Sequence, residues 1–340
     1  MKIGLIANES KDIGLAVARR LSDAIRARGG RVILASGANA LEGTYEADLN
    51  ALEGAYEADV NASENANAPT GAKASENANA PIGANASLDA GAFAGCDVLI
   101  CVGGDGTIIK AAREAQCGGT PMLGVNLGAL GYLTEVETSQ IDAMLDRVFS
   151  RDYHVEERMM LTVERAPGGV RAEETAINEL AIGRGSEPHV IRLKVYINDT
   201  FLDVYPGDGL LISTPTGSTA YSLSAGGPVI DPELNLISIV PVCPHVIFSR
   251  PVLVAPDKTI TIVPVATGAG GAFRASVSID GYRGPDLLDG EAIKVRKSGH
   301  MAKMLRFDAD NFYVVLKNKL FETSGKFGPE GPHRGKPNNG

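Results

Sequence analysis

Three short segments carry residue types that could do chemistry. Gly103-Gly104-Asp105-Gly106-Thr107 follows the apolar run DVLICV and leads into a segment of helical character. Glycines at a strand-to-helix turn let backbone N–H groups approach phosphate oxygens, and the helix N-terminus favours the same anion. Asp105 puts a carboxylate among those amides, where it repels phosphate unless it has another task. Two tasks fit it: capping the helix, for which Asp is a preferred residue, or accepting a hydrogen bond from a sugar hydroxyl. The second segment is Asn178-Glu179, an amide and a carboxylate interrupting TAINELAI. On a strand the two point to opposite faces. They either meet solvent at an edge or bulge, or hydrogen-bond ribose hydroxyls or an adenine edge. The third runs from Asp208 to Pro228, a strand followed by TPTGSTAYSLSAGGP. That stretch is too polar for core and too specific in order for a linker.

Two familiar phosphate motifs fail on inspection. A G-x-G-x-x-G fingerprint counted from Gly104 and Gly106 would need glycine where Ile109 stands, and the next strand ends in Asn126 instead of an acid. The G-x-x-x-x-G-K-[ST] loop is absent too, so neither a standard hydride-transfer domain nor a Walker-type ATPase is supported.

The elements that must position these segments follow from hydrophobic spacing. Ile3 to Ala7 reads as a buried strand, then Ile13, Val17, Leu21, Ala24 and Ile25 recur at helical spacing until Gly29 and Gly30. Arg31 to Ala35 supplies a second strand, and this β-α-β opening argues for a parallel sheet with helices on its faces. The pattern resumes at Asp97 with a strand, the GGDGT turn and a helix through Gln116. A strand (Met122 to Asn126), the glycine-rich turn GALGYL and a helix (Thr138 to Phe149) follow. From Met159 onward the runs are short and β-like: MLTVE, TAINELAI, IRLKVYIN, GLLIST, SIVPV, TITIVPV, ASVSID, IKVRK and FYVVL. The tail over 323–340, rich in Gly, Pro and Lys, is expected to be disordered.

Residues 41–90 interrupt this plan. LEGTYEADLNA is followed by LEGAYEADVNA, and ASENANAP occurs twice. Leu41, Tyr45, Leu49, Leu52, Tyr56 and Val60 share a helix face at the 11-residue period, so the first half can be helical. The whole reads as a low-complexity, solvated spacer inserted in the first domain. Its deletion is expected to leave activity intact, because it supplies no site chemistry and loop closure costs little. Steady-state rates and the oligomer mass of the deletion variant check this.

The insert also explains the charge. The chain of 340 residues has a formal net charge of -9, but 41–90 holds nine carboxylates against one Lys, leaving the rest nearly neutral. With no Trp and no basic stripe, the sequence lacks the electrostatic footprint for nucleic acid or an anionic membrane. At 44% hydrophobic it can bury one large core or two ordinary ones. Cys96, Cys101, Cys117 and Cys243 form no C-x-x-C pair, so no disulfide framework or zinc site is implied, and Cys101 reads as a buried thiol. The N-terminus turns charged too soon for a signal h-region, and no apolar run reaches spanning length; the cytoplasm is the expected compartment.

The three segments, in this order, resemble those of the NAD kinase family. The likeness extends to PVCPH (241–245) and Asp280-Gly281, and covers roughly 1–40 and 92–322. GGDGT is shared with lipid kinases and phosphofructokinases, whereas the Asn-Glu pair and TPTGSTAYSLSAGGP narrow the likeness to NAD. The resemblance implies a Rossmann-like parallel-sheet α/β domain over 1–150 followed by a β-rich, sandwich-like domain over 151–300. Strands over 301–322 then return to the first domain, and the site lies between the two.

It further implies transfer of a phosphoryl group from ATP, another triphosphate or polyphosphate to the 2′-hydroxyl of the adenosine ribose of NAD, giving NADP. Asp105 takes the place of the general base, with Gly104, Gly106 and Thr107 beside the nucleotides and Lys110 as the nearby basic residue. Tyr132 takes the place of an aromatic able to stack on adenine. Asn178 and Glu179 match the adenosine-binding pair. Asp208 with Thr219, Ala220, Tyr221, Ser222, Leu223 and Ser224 matches the segment holding the nicotinamide and adenine portions. His189, Cys243 and Tyr282 align by spacing from these anchors and read equally as packing. Mg²⁺ on the donor phosphates is the implied cofactor, no metal held by protein ligands alone is implied, and homodimers or homotetramers are the implied assembly. Two other functions share parts of this pattern. A lipid or sugar kinase would use the same GGDGT logic, though no amphipathic membrane segment accompanies it; a non-catalytic NAD sensor would have no use for Asp105.

Overall fold

The computed structural model describes residues 1–8, 10–12, 15–35, 93, 95–114, 119–128, 131–166, 172–185, 189–246, 249–265, 273–308 and 311–320. The insert at 41–90 and the tail at 323–340 lie outside the described residues.

The chain opens with β1 (Lys2–Ala7), α1 (Ala16–Ala27) and β2 (Arg31–Ala35), then β3 (Val98–Gly103), α2 (Asp105–Glu114) and β4 (Met122–Asn126). These strands pair in parallel in the order β4-β3-β1-β2. All six residues of β3 and all five of β4 are buried, which is why both read as continuous apolar runs; parallel sheets are covered on both faces. One face carries α1 and α3 (Ile141–Ser150), through Leu21, Ile25, Met144 and Leu145. The other carries α2, through Ile108, Ala111 and Ala112, and there Cys101 is buried. Asp12 anchors the start of α1 by accepting hydrogen bonds from Val17 N–H and Ala18 N–H, both at 2.9 Å, satisfying two orphan donors of the helix.

After β5 (Val136–Glu137) come β6 (His154–Arg165), β7 (Ala172–Ala176), β8 (Glu179–Gly183), β9 (Ile191–Ile197), β10 (Thr200–Gly207), β11 (Gly209–Ser213) and α4 (Tyr221–Ser224). Then follow β12 (Ile237–Val242), β13 (Val252–Val254), β14 (Ile260–Pro264), β15 (Arg274–Ile279), β16 (Tyr282–Arg283), β17 (Leu287–Leu288), β18 (Ile293–Arg306) and α5 (Asn311–Leu320). Strands β8, β11, β12, β13, β15, β16 and β17 make a second sheet. Its inward residues, Leu180, Ile182, Leu210, Ile212, Ile239 and Val277 among them, pack against Leu161, Val163, Leu193, Val195, Ile260 and Val295 of the first. The result is a β-sandwich, one of whose sheets continues into the parallel strands of the α/β layer. The long strand β18 joins them: it runs antiparallel to β6 and β14, and Met304 pairs in parallel with Met122 of β4.

Two expectations need correction, and one strand is added. FYVVL is helical, inside α5, not a strand; only β18, ending at Arg306, returns to the first sheet as strand. Val315 alone of that run is fully buried while Tyr313 and Val314 are over half exposed, a one-sided pattern that a short apolar run does not reveal. TAINELAI is two strands, β7 and β8, separated by a bend at Ile177-Asn178. The added strand is β10, which contains FLDVY and has no counterpart among the expected runs; it is an edge strand whose exposed Phe201 and mixed polarity hide it from a periodicity reading.

Candidate active site

Asp105 is the first residue of α2, separated from the end of β3 by Gly104 alone. Its carboxylate reaches across to the GALGYL turn: Tyr132 N–H donates to Oδ2 at 2.8 Å, and Leu133 N–H and Thr134 N–H donate to Oδ1 at 3.0 and 3.3 Å. A side chain on Gly131 would overlap Oδ1. So the carboxylate neither caps its own helix nor lies idle; it clamps a second loop. A carboxylate has about four lone-pair positions, and three are filled by these amides. Gly103 allows Thr107 to pack beneath the turn, and Asn126 closes the neighbouring one through Gly128, donating to its carbonyl at 2.6 Å. Gly104 and Lys110 are half-buried and Thr107 is buried.

Gly106 is exposed, with nothing within 4 Å of an added Cβ. Gly106→Ala is therefore expected to keep or slightly raise the melting temperature, since Ala exceeds Gly in a helix by up to about 1 kcal/mol. If the turn cradles phosphates, as the resemblance implies, the KM for the phosphate-bearing ligand should rise severalfold, because the methyl stands on the exposed side of the turn. Unchanged KM values would mean that no nucleotide comes near this glycine.

Asn178 and Glu179 are held by a second carboxylate clamp. Asp280 Oδ2 accepts from Ile177 N–H at 2.9 Å, and Oδ1 from Asn178 N–H and Glu179 N–H at 2.8 and 3.0 Å. The Asp280 side chain is 0% exposed. Its backbone is left-handed, at φ 50°, and Gly281 follows at φ 81°, so Asp-Gly here is a turn that aims the carboxylate inward. From the other side, Thr214 Oγ1 donates to Ile177 O at 2.6 Å, Thr214 N–H to Asn178 O at 2.9 Å, and Ser213 Oγ to Asn178 O at 3.3 Å. A Cβ on Gly217 would overlap that same Asn178 carbonyl. The pair is thus buried, not solvated: Asn178 is 9% exposed and Glu179 is 7%.

Glu179 Oε2 is buried without a hydrogen-bond partner, an arrangement that waits for a donor. Burial, reinforced by the nearby Asp280 carboxylate, pushes Glu179 from 4.5 up to about 7. Asp280 is itself raised by burial, against the three amides and Arg113. The unfolded chain releases the Glu179 proton near pH 4.5, whereas the folded protein holds it until about 7. Stability therefore falls as pH rises through that window, by about 3 kcal/mol in total. Glu179→Gln is expected to remove this slope, read from urea unfolding at pH 5 and pH 8 of the ligand-free protein. A parent-like slope in the variant would assign the dependence elsewhere.

The hydroxyl-rich segment forms a 3₁₀ turn (Thr216–Thr219) and the single turn α4. Thr219 and Ala220 are half-buried, Tyr221 and Ser224 exposed, and Leu223 half-buried. Ser222 is fully buried and its Oγ, like Glu179 Oε2, has no partner.

Other candidates stand apart. Asp208 precedes β11 and pairs with Arg184 at 3.0 Å. Register places Gly209 opposite Gly183 and Ser213 opposite Glu179, so Asp208 lies at the far end of β8 and β11, about 13 Å or more from the Asn178-Glu179 bend at ~3.4 Å per residue. Exposed Cys243 lies at that far end too, following Val242, whose carbonyl accepts from Asp208 N–H. Exposed His189 leads into β9, whose Ile191 pairs with Gly207. Within the chain these three do not join Asn178 and Glu179. Tyr132 is packed against Phe312, with ring centroids 6.1 Å apart, and Lys319 sits over its face at 4.5 Å, so stacking on adenine would require α5 to yield that face. Tyr282 lies under the Arg113 guanidinium at 4.5 Å.

The GYL turn is braced a second time. Arg306 donates to Tyr132 O, Leu133 O, Glu135 and Glu156, and Glu156 pairs with Arg158 at 2.7 Å. Sequence reading missed Gly131, Asp280 as a clamp, and these arginines. Their partners lie up to 174 residues away, and only the left-handed Asp-Gly pair left a local trace. Among the described residues no group of three or more His, Cys, Asp or Glu could hold a metal ion, and no helix is long and apolar enough to cross a membrane.

A glycine turn with a carboxylate, placed at a strand terminus of an open parallel sheet that is joined to a sandwich, defines an α/β protein of the class that binds its ligand at the carboxyl ends of the strands. Residues 3–153 match the ATP-NAD kinase N-terminal domain and residues 177–307 the ATP-NAD kinase C-terminal domain, and the chain belongs to the NAD kinase family. It is 37% identical over 323 residues to the NAD kinase of Acetivibrio thermocellus, covering 95% of this chain and 98% of that one. It is 41% identical over 236 residues to that of Moorella thermoacetica, covering 69% and 74%. Yeast NADH kinase complexed with NADH shares the fold at TM-score 0.73 and 22% identity, covering 97% of this chain and 89% of that one. An NAD kinase from Archaeoglobus fulgidus in complex with ATP does so at 0.65 and 19%, covering 94% and 98%.

Proposed function

We propose that the protein is an NAD kinase that phosphorylates the 2′-hydroxyl of the adenosine ribose of NAD, with Asp105 as the base. The observation that carries the role of Asp105 is its carboxylate, fixed by three amides with one lone-pair position left for a hydroxyl. The acceptor hydroxyl donates to that position. As its oxygen bonds to the terminal phosphorus and the bond to the donor's bridging oxygen breaks, the proton passes to Asp105 and then to water. Phosphoryl transfer is loose and depends mainly on alignment and charge neutralisation, so a weak base suffices. ATP is the proposed donor, in keeping with the ATP bound to the Archaeoglobus relative.

Asn178 and Glu179 are assigned to the adenosine, with the unpartnered Glu179 Oε2 and Ser222 Oγ taking hydroxyl or amino donors of the ligand. Gly104, Gly106, Thr107 and Lys110 are assigned to the phosphates, and 219–224 to the remainder of the dinucleotide. Mg²⁺ fits as an ion borne on the donor phosphates, because Asp105 is largely committed to amides and Mg²⁺ typically takes only one or two protein carboxylates. When bound it neutralises the charge of the transferring group. A cytoplasmic homodimer or homotetramer is the assembly the family resemblance favours.

Purified protein incubated with NAD, ATP and Mg²⁺, with NADP read through an NADP-specific dehydrogenase, tests the assignment. Diacylglycerol and fructose 6-phosphate serve as competing acceptors. NADP formation is the expected result; NAD binding without turnover, or preference for either competitor, would overturn it.

A further inference from the structure

We propose that Arg113 is a positioning residue for this phosphoryl transfer: it ties the far end of the helix that begins with Asp105 to the clamp that holds Asn178 and Glu179. The inference rests on the site proposed above. Arg113 lies eight residues after Asp105 on α2, about 12 Å along a helix at 1.5 Å per residue. Its Nε donates to Thr175 O at 3.3 Å, at the end of β7 just before the bend. The same nitrogen lies 3.9 Å from Asp280 Oδ2, and a terminal nitrogen lies 3.5 Å from Glu174. The guanidinium plane covers the Tyr282 ring at 4.5 Å, so it also touches the turn that follows Asp280. The side chain is only 16% exposed.

These contacts separate Arg113 from an ordinary surface ion pair. One guanidinium engages a backbone carbonyl, a fully buried carboxylate, a second acid and an aromatic face, a combination that lysine cannot reproduce. Its partners all belong to the second half of the chain, and its own helix belongs to the first. Helix α2 is anchored in between by Ile108, Ala111 and Ala112, which share one buried cluster with Leu133 and Ile177. The helix therefore acts as a strut. At one end Asp105 holds the GYL turn, and at the other Arg113 holds the Asp280 clamp. The distance between the carboxylate that receives the ribose proton and the pair that binds the adenosine is set along this strut. Misplacement by about 1 Å can cost 10²-fold in rate, so the link should matter although Arg113 need not touch either nucleotide.

The test compares Arg113→Met and Arg113→Lys with the parent in steady-state assays that vary NAD and ATP separately, alongside melting temperatures. For Arg113→Met the expected result is a rise in the KM for NAD of about tenfold and a fall in kcat of about tenfold, with the KM for ATP within twofold. Arg113→Lys should recover only part. Because Arg113 acts through Asp280, its replacement should change the KM for NAD less than twofold in an Asp280→Asn background, as coupled sites are non-additive. A purely structural role would lower the melting temperature and the active fraction while leaving the KM alone, and that outcome overturns the proposal. So do independent, multiplicative effects of the Arg113 and Asp280 changes. If Arg113→Met does not fold, Arg113→Lys carries the same pattern of expectations. Asp105→Asn and Glu179→Gln run in parallel as controls. Parent-like kinetics in both would reject the site itself, whereas impaired controls beside a parent-like Arg113→Met or Arg113→Lys would reject only the role of Arg113.

Discussion

Asp105→Asn is expected to lower kcat by about 10²- to 10⁴-fold, the usual worth of a positioned acid or base, with the KM for NAD little changed. The geometry adds a second consequence. Asn keeps one acceptor oxygen, but its NH₂ group must face at least one of the amides that now donate to Oδ1 and Oδ2. An N–H directed at an N–H loses a charge-assisted bond and leaves a donor unsatisfied, at a cost of about 1–3 kcal/mol. A lower melting temperature should therefore accompany the lost rate, and NAD should restore part of it by mass action. Single-turnover measurement of NADP formation at saturating NAD and ATP isolates the chemical step. A rate near that of the parent would remove Asp105 from the mechanism and leave it only the task of holding the GYL turn.

That double duty bears on what could be read from residues alone. The parallel layer was legible because β3 and β4 are buried on both faces and so are written as unbroken apolar runs. The sandwich strands were legible because alternate residues such as Leu180 and Ile182 face the core. Asn178 and Glu179 could be picked out as polar residues in an apolar run, but not the reason they stay buried. That reason is Asp280, a hundred residues downstream, and no local pattern connects the two. The helix α5 escapes sequence reading for a related cause: FYVVL is short, and Tyr132, which packs against its Phe312, lies far upstream in the chain. Residue type and spacing single out Asp105, Asn178 and Glu179 as candidates; the clamps that hold them depend on contacts between distant segments.

Gly131→Ala is the change whose effect the fold predicts most sharply, because Gly131 bears no functional group. Its Cβ would overlap Asp105 Oδ1 and stand 2.5 Å from Oδ2. The carboxylate cannot swing clear without releasing Tyr132, Leu133 and Thr134, and the turn cannot retreat because Arg306 holds its carbonyls from the other side. The requirement is for space, not for a left-handed backbone, since Gly131 is absent from the positive-φ residues. Overpacking of this kind costs about 1–3 kcal/mol. Displacement of the carboxylate by the same methyl should lower kcat by about 10²-fold or more, as misplacement of a catalytic group does. Gly106→Ala, at the second residue of α2 and next to Asp105 but with open space around it, supplies the contrast in stability. Rapid-quench kinetics and thermal melts of the two variants decide the matter. A Gly131→Ala enzyme that melts lower yet turns over like the parent would mean that the clamp stabilises the loop without aiming the base.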